Sequence, residues 1–538
     1  MRLTGNQMQD DDMFSYRAQR WLWNEPEQLH RRYLCFNLKE LIRAAEEAAG
    51  SDVTCSEVTK LPEGNFNKTF LMTMHNGYQL IARLPNPNAG RPHYTTASEV
   101  ATMQYVRDRL QIPVPKVLAY STQASTNSVG AEYIIMEKCP GVELGHLWDG
   151  VSGRQKVDIV RQLAAYLARL SKARFPHYGS LYFARDIPEI KGTEVDDTFS
   201  VGPTTSRAWF DDRRGEIDVD RGPWKTAQDV LTATMKREIA CLDSFSTFPR
   251  DRQQGIFNGP GGFRPSKASK MGAIREYSCV LPLIVPRDDA YNASILWHND
   301  LHSNNIFVNK DCPTEITSII DWQSVHLSPA FLHVHYPSLI EYNGPILNGF
   351  KKPELPSNFA DLDPVAKENA RSLHMAQSIW GLYQIFTQKQ APDLLRTLRY
   401  RDTLPSQIMN LIGSVFDDGE PYIQNLLSRL TEPEIWKKVV KDNDQVPCPL
   451  VYSDFEMSQQ RDELARWERD VERKAQVIEE VGAYTGWDGA VLPEEYSTMS
   501  EKLKNARERF LDRESKTPEE RKQWASAWPF TDENRHLH

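Results

Sequence analysis

The stretch WHNDLHSNNIFVN, Trp297 to Asn309, constrains the fold more than any other. Ile295–Trp297 and Ile306–Val308 are apolar runs too short for helices, so they read as strands around a polar loop. A third, mostly apolar run, Thr317–Ile320, ends in Asp321-Trp322-Gln323. Asp300 therefore lies in a loop, Asn305 near its end and Asp321 at a strand end. A lone Asp or Asn in a loop is ordinarily a turn residue. The pattern lies in the joint spacing, H-x-D-x-x-x-x-N followed by an Asp after a strand.

Upstream, the folded signals begin near Ser51, with a strand over Val53–Leu61. In TFLMTMHNGYQLIARL, Asn76-Gly77 signals a two-residue hairpin, because a type I′ turn needs positive φ at both centres. That register sets Met72 opposite Ile81 and Phe70 opposite Arg83, and alternation puts Ile81 and Arg83 on one face. LPEGNFNKTF precedes the hairpin, and its Gly64-Asn65 turn can bring backbone N–H groups near a phosphate or serve only as a turn. Val100, Met103, Val106 and Leu110 give residues 96–110 a helical stripe that Thr96 or Ser98 could cap. IPVPKVLAY and a strand over Tyr133–Met136 follow, leaving through Pro140-Gly141. This is a small antiparallel sheet with one helix. Beyond it, residues 154–171 and much of 365–440 read as helices.

Composition excludes several classes. The 538 residues carry a net charge of −9, which gives no broad basic face and argues against nucleic acid. The seven cysteines include no C-x-x-C pair, so neither a zinc site nor a disulfide framework is expected. No apolar run is long enough to span a bilayer. The N-terminus has no apolar signal region, and Asp10, Asp11 and Asp12 argue against an intact mitochondrial transit peptide.

Phosphoryl transfer needs a carboxylate to take or orient the acceptor proton and oxygen ligands for Mg²⁺. Asp300 suits the first role, and Asn305 with Asp321 the second. The spacing is that of kinase catalytic loops. On these motifs the chain resembles the aminoglycoside phosphotransferase/choline kinase-like branch of the protein kinase-like fold. Through RWLWNEPEQL, LPEGNFNKTF, IARLPNPNAG, YTTASEVATM, VGAEYIIMEK, WHNDLHSNNIFV and IIDWQSV it resembles more closely the fungal altered inheritance of mitochondria proteins, over about residues 20 to 330.

The resemblance implies an α+β, bilobal kinase-like fold, with a small antiparallel-sheet N-lobe carrying one helix and a mostly helical C-lobe. The expected divisions are an N-terminal extension (1–50), a nucleotide-binding N-lobe (51–138), a C-lobe (139–450) with an insertion at about 175–290, and a charged helical extension (451–538). It implies ATP and Mg²⁺ as cofactors and a small-molecule acceptor. Asp300 corresponds to the catalytic base, His298 to its brace, and Asn305 and Asp321 to the metal ligands. Gly64, Asn65 and Phe66 correspond to the cover over the phosphates, Ile81 and Arg83 to the third strand, and Glu99 to the cation's partner. Met136, Glu137 and Lys138 correspond to the hinge at the adenine. Asn304, where relatives carry Gly, is expected in a left-handed turn. A mitochondrial location is implied as well, and a cytoplasmic one stays open.

Several positions depart from protein kinases. Arg83 stands where Lys is usual; Asn299 and His302 replace an Arg and a Lys; Trp322-Gln323 replaces Phe-Gly. These favour a small-molecule acceptor over a protein. Arg83 also keeps open a nucleotide-binding pseudokinase or scaffold in mitochondrial maintenance. Aminoglycoside phosphorylation would need an acidic acceptor cleft, which the acidic clusters at 195–220 could supply.

Within the insertion, WFDDRRGEIDVDRGPW is expected at the surface and DRQQGIFNGPGGFRPSKASKMGAIR as a mobile loop, with Trp209, Phe210 and Trp224 packing the segment down. A long C-terminal helix is expected to pair Asp462 with Arg466 and Asp470 with Lys474, lying on the C-lobe or meeting a protein partner. A second charged helix covers roughly 499–513.

Overall fold

The strands Cys55–Lys60, Asn67–Met74, Gln79–Pro85, Tyr133–Glu137 and Val117–Ser121 lie side by side in that order, each antiparallel to its neighbour. They belong to a computed structural model that describes residues 11–532, apart from 191, 343, 345–350 and 442–445. Residues 1–10, including Asp10 of the acidic N-terminal run, lie outside the described residues.

The hairpin register differs by one residue from the expected one. Met72 faces Leu80, Leu71 faces Ile81 and Thr69 faces Arg83. The loop holds three residues rather than two. Gly77 N donates to Met74 O, Met74 N donates to Tyr78 O, and Gly77 takes φ +83° while Asn76 is not left-handed. A type I turn followed by a left-handed glycine inserts one residue and shifts the pairing. Ile81 and Arg83 still share a face, because alternation survives the shift. Phe70, Met72, Met74, Leu80, Ala82 and Leu84 are buried on the other face.

That other face is covered by the helix Leu38–Ala49, capped by Asn37 and burying Leu41 and Ala45 on the sheet. Folded structure thus begins before Ser51. The apolar spacing of Leu38, Leu41, Ile42 and Ala45 is helical, so the signal was present in the chain. On the Arg83 face lies the helix Tyr94–Asp108. It starts earlier than expected, at Tyr94, and neither Thr96 nor Ser98 caps it; both are buried inside it.

The rest is mostly helical, giving an α+β chain with a sheet-bearing N-terminal lobe. Gly153–Lys172 begins with a Ser152/Gln155 capping box and packs on the long helix Pro364–Gln390. The segment before the polar loop is neither loose nor mainly exposed. It contributes the helices Ala227–Ser244 and Lys267–Ile284 to a core shared with Glu420–Arg429. Arg214, expected at the surface, is buried and donates to Asp417 at 2.8 Å beside Glu238. In the Gly-rich stretch expected to be mobile, Ile256, Phe257 and Phe263 are buried. Gly259 lies so close to Trp524 that a Cβ there would come within 2.0 Å of the ring. Trp209 and Trp224 pack together at 5.1 Å.

The helix Asp454–Val481 lies on the C-lobe, against Glu420–Arg429. Its expected pairs do not form: neither Asp462–Arg466 nor Asp470–Lys474 is an ion pair. Asp470 is buried, binding Arg473 at 2.6 Å and accepting from Phe263 N. Lys474 donates to Gln253 O. At Asp470 and Lys474 the helix faces the insertion rather than water, so these charges also answer Phe263 and Gln253, whereas Asp462 is exposed. The second charged helix, Tyr496–Glu514, follows. Between the two, Ala490–Val491 pairs antiparallel with Arg20–Trp21, and Trp23 packs on Trp487 and Phe530. The two ends of the described chain therefore meet. Among the described residues, no helix is long and apolar enough to cross a membrane.

Candidate functional site

The polar loop leaves the strand Ser294–Leu296, passes through a turn of 3-10 helix at Ser303–Asn305 and enters the strand Ile306–Val308. His298 is buried beneath it. Its Nδ1 accepts from Asp300 N at 3.3 Å, so the proton sits on Nε2, which donates to Ile320 O at 2.9 Å. Its ring meets Trp322 edge-on at 4.8 Å. Burial pushes His298 below its ordinary pKa, keeping it neutral, and the backbone bond to Ile320 and the charges of Asp321 and Asp300 oppose this. His298 thus ties the loop to the strand end that carries Asp321.

Asn305 makes the same connection from the other side. Its Nδ2 donates to Asp300 O at 2.8 Å, and its backbone O accepts from Ile320 N at 3.0 Å. Among the described residues no hydrogen bond uses its Oδ1. The Asp300 side chain is exposed, with His302 Nε2 3.6 Å from its carboxylate. His302 Nδ1 accepts from Asn304 N, which leaves its N–H directed at Asp300. Asn304 does not take the expected left-handed turn, because the 3-10 turn needs ordinary helical φ there. The left-handed residues are Asp321, at φ +66°, and Ser324, at φ +59°.

From the sheet, Arg83 reaches this point. Its Nη2 donates to Glu99 on the Tyr94–Asp108 helix, and its Nη1 lies 3.7 Å from Asp321 Oδ1. Burial pushes the Arg83 guanidinium below its ordinary pKa, and Asp321 acts against that. Lys68, on the neighbouring strand, does not share this face. It lies on the opposite face of the sheet, fully buried, donating to Glu63 at 2.8 Å and to Arg32 O at 2.9 Å. Ile81 sits two residues before Arg83, opposite Met136.

Gly64, Asn65 and Phe66 join the first two sheet strands. Asn88 donates to Asn65 O, and Asn86 N to Phe66 O. The Arg207 guanidinium lies 3.6 Å over the Phe66 ring, itself held by Asp211, so the insertion reaches this turn. No sequence signal marked Arg207. Met136 is buried in its strand; Glu137 N donates to Lys116 O at 3.0 Å; Lys138 is exposed where the chain leaves the sheet. Gln323 and Asn67 exchange side-chain amide hydrogen bonds at 3.1 and 3.2 Å, a contact that sequence reading missed. A cavity of about 820 Å³ lies elsewhere, between Tyr33, Phe210, Phe245 and Arg250, and none of the sequence-predicted site residues lines it.

The donor set would suit Mg²⁺: the amide oxygen of Asn305 and the partly exposed carboxylate of Asp321 are hard oxygen donors. Residues 57–240 match the family model described as the phosphotransferase enzyme family. A subtelomeric hrmA-associated cluster protein of Aspergillus fumigatus is 27% identical over 89% of this chain and 97% of its own length. The altered inheritance of mitochondria protein 9, mitochondrial, of Yarrowia lipolytica is 22% identical over 73% of this chain and 71% of its own. The resemblance to the altered inheritance of mitochondria proteins is therefore present, and the Aspergillus relative is more similar still. Among solved structures, a gentamicin–APH(2'')-IIa complex aligns with TM-score 0.35 and 13% identity, covering 77% of this chain and 98% of its own. A macrolide 2'-phosphotransferase type I aligns with TM-score 0.32 and 12% identity, covering 73% and 96%.

Proposed function

We propose that this chain is a phosphotransferase that transfers the γ-phosphoryl group of ATP to a hydroxyl of a small molecule. The observation that carries the reading is Arg83, which meets both Glu99 and Asp321 where the sheet faces the loop of Asp300 and Asn305. In this reading the acceptor O–H gives its proton to the Asp300 carboxylate as the oxygen bonds to the γ-phosphorus. The β–γ bridging oxygen leaves with ADP. Asn305 and Asp321 hold Mg²⁺, which when bound neutralises phosphate charge. His298 keeps the loop in register with Asp321, and Arg83 orients phosphate oxygens through its planar fork. Gly64, Asn65 and Phe66 cover the phosphates, and Ile81 with Met136, Glu137 and Lys138 borders the adenine. Residues 51–138 then form the nucleotide lobe, 139–450 the acceptor lobe with the 175–290 insertion, and 1–50 and 451–538 the extensions.

Asn299, His302 and Trp322-Gln323 favour a small-molecule acceptor, and the net charge of −9 speaks against nucleic acid. The names of the altered inheritance of mitochondria relatives support a mitochondrial location. The C-terminal helices offer a surface for a protein partner. Arg83 supports a second reading, a nucleotide-binding pseudokinase or scaffold, because an arginine there changes the phosphate geometry.

An ATP-turnover screen across metabolite alcohols and amines separates the readings, with Asp300→Ala and Asp321→Ala as controls. Turnover that both controls abolish supports the transferase. Binding of Mg-ATP with no turnover by any acceptor, for wild type or Arg83→Lys, supports the pseudokinase. No nucleotide binding at all rules out both.

A further inference from the structure

The segment Asp321–Ser324 has two left-handed residues and belongs to no strand or helix, so other groups must hold it. From the C-lobe, Trp322 Nε1 donates to Ile319 O at 3.0 Å and Asn299 Nδ2 donates to Ser324 O at 3.2 Å. From the N-lobe come Arg83, at 3.7 Å from Asp321, and Asn67. Asn67 Nδ2 donates to Gln323 Oε1 at 3.1 Å, and Gln323 Nε2 donates back to Asn67 Oδ1 at 3.2 Å, across 256 residues of sequence. A reciprocal amide pair is directional in both bonds, so it fixes distance and orientation together. Asn67 is the first residue of the strand that follows Gly64–Phe66, and Gln323 is two residues from Asp321.

We infer that Asn67 and Gln323 form a lobe-to-lobe latch that positions the Asp321 carboxylate and the Gly64–Phe66 turn relative to each other. They are positioning residues: the latch acts through Asp321 and the turn, without touching the reacting atoms. The neutral amides suit this place, because a charged pair would compete with Arg83 for Asp321. The inference rests on the phosphotransferase reading for its effect on catalysis, and on geometry alone for the latch.

Asn67→Ala, Gln323→Ala, the double variant and the exchanged pair Asn67→Gln/Gln323→Asn test it in the full chain. Two neutral hydrogen bonds predict about three- to tenfold weaker Mg-ADP binding in each single variant. The double variant should lose no more than either single one, and the exchanged pair should recover most of the affinity. Turnover should show a raised Mg²⁺ requirement. Amide exchange over residues 319–326, read without nucleotide, should rise in Asn67→Ala although residue 67 is in the other lobe. If exchange does not rise, or if the single effects simply add, the latch is wrong. Faster exchange in a protein that never binds Mg-ADP would uphold the latch while removing the phosphotransferase reading.

Discussion

Arg83 donates to Glu99 with both side chains almost wholly out of water, on the sheet face that looks toward Asp321. Two charges taken from water depend on each other, and removing one strands the other. Glu99→Ala should therefore cost about 3–5 kcal/mol of stability. Urea denaturation followed by circular dichroism measures it. Arg83→Lys keeps a cation but not the fork that meets two carboxylates, so it should perturb the fold less than it changes phosphate binding.

Asp300 behaves oppositely, because its side chain is exposed and holds little structure together. Asp300→Asn should leave the melting temperature within a degree or two and lower turnover by about 10²–10⁴-fold, the usual span for a lost general base. A thermal melt beside a steady-state assay reads both. Equal turnover by Asp300→Asn and wild type would remove Asp300 from the proposed mechanism.

The C-lobe beneath the loop carries His326 and His333 with ring centroids 4.4 Å apart, His333 Nε2 donating to His326 O. Burial pushes His326 down to about 4 and His333 well below its ordinary value. The unfolded chain binds these protons near pH 6.5 and the folded chain does not. Stability contributed by neutral histidines is thus full above that pH and falls as pH drops from about 6.5 toward 4. Unfolding free energy should decrease by about 1–2 kcal/mol per histidine between pH 7 and 5. A urea series at several pH values tests the slope, and replacing His326 by Asn should flatten it.

Gly259 and Trp524 join the insertion to the last described helix, Pro518–Ala527. Trp524→Ala should cost about 3–5 kcal/mol through the cavity it opens. Gly259→Ala should cost about 1–3 kcal/mol through overpacking against the ring. Limited proteolysis within residues 251–266 should quicken in both.

Much of the site could be read along the chain. Asp300, Asn305 and Asp321 announce themselves because they are local to two turns between short apolar runs. Strand alternation put Ile81 and Arg83 on one face, and the pairing of Arg83 with Glu99 came from the family resemblance. The hairpin register could not be read, since Asn76-Gly77 serves two- and three-residue loops alike and packing of Met72 and Leu80 against Leu41 selects between them. The left-handed turn expected at Asn304 rested on the glycine that relatives carry there, and the 3-10 turn over Ser303–Asn305 removes the need for it.

The sequence by itself determined an α+β chain with a sheet-bearing lobe, the polar loop and the residue types of phosphotransferase chemistry, because these depend on period, turn residues and short spacing. Only the tertiary structure decided that Arg207 covers Phe66, that Lys68 turns away to Glu63, that Asp470 answers Phe263 and Arg473, and that Asn67 grips Gln323. Polar side chains have several partners within reach of their chemistry. Which one is taken depends on which surfaces packing brings together, and no spacing along the chain encodes that.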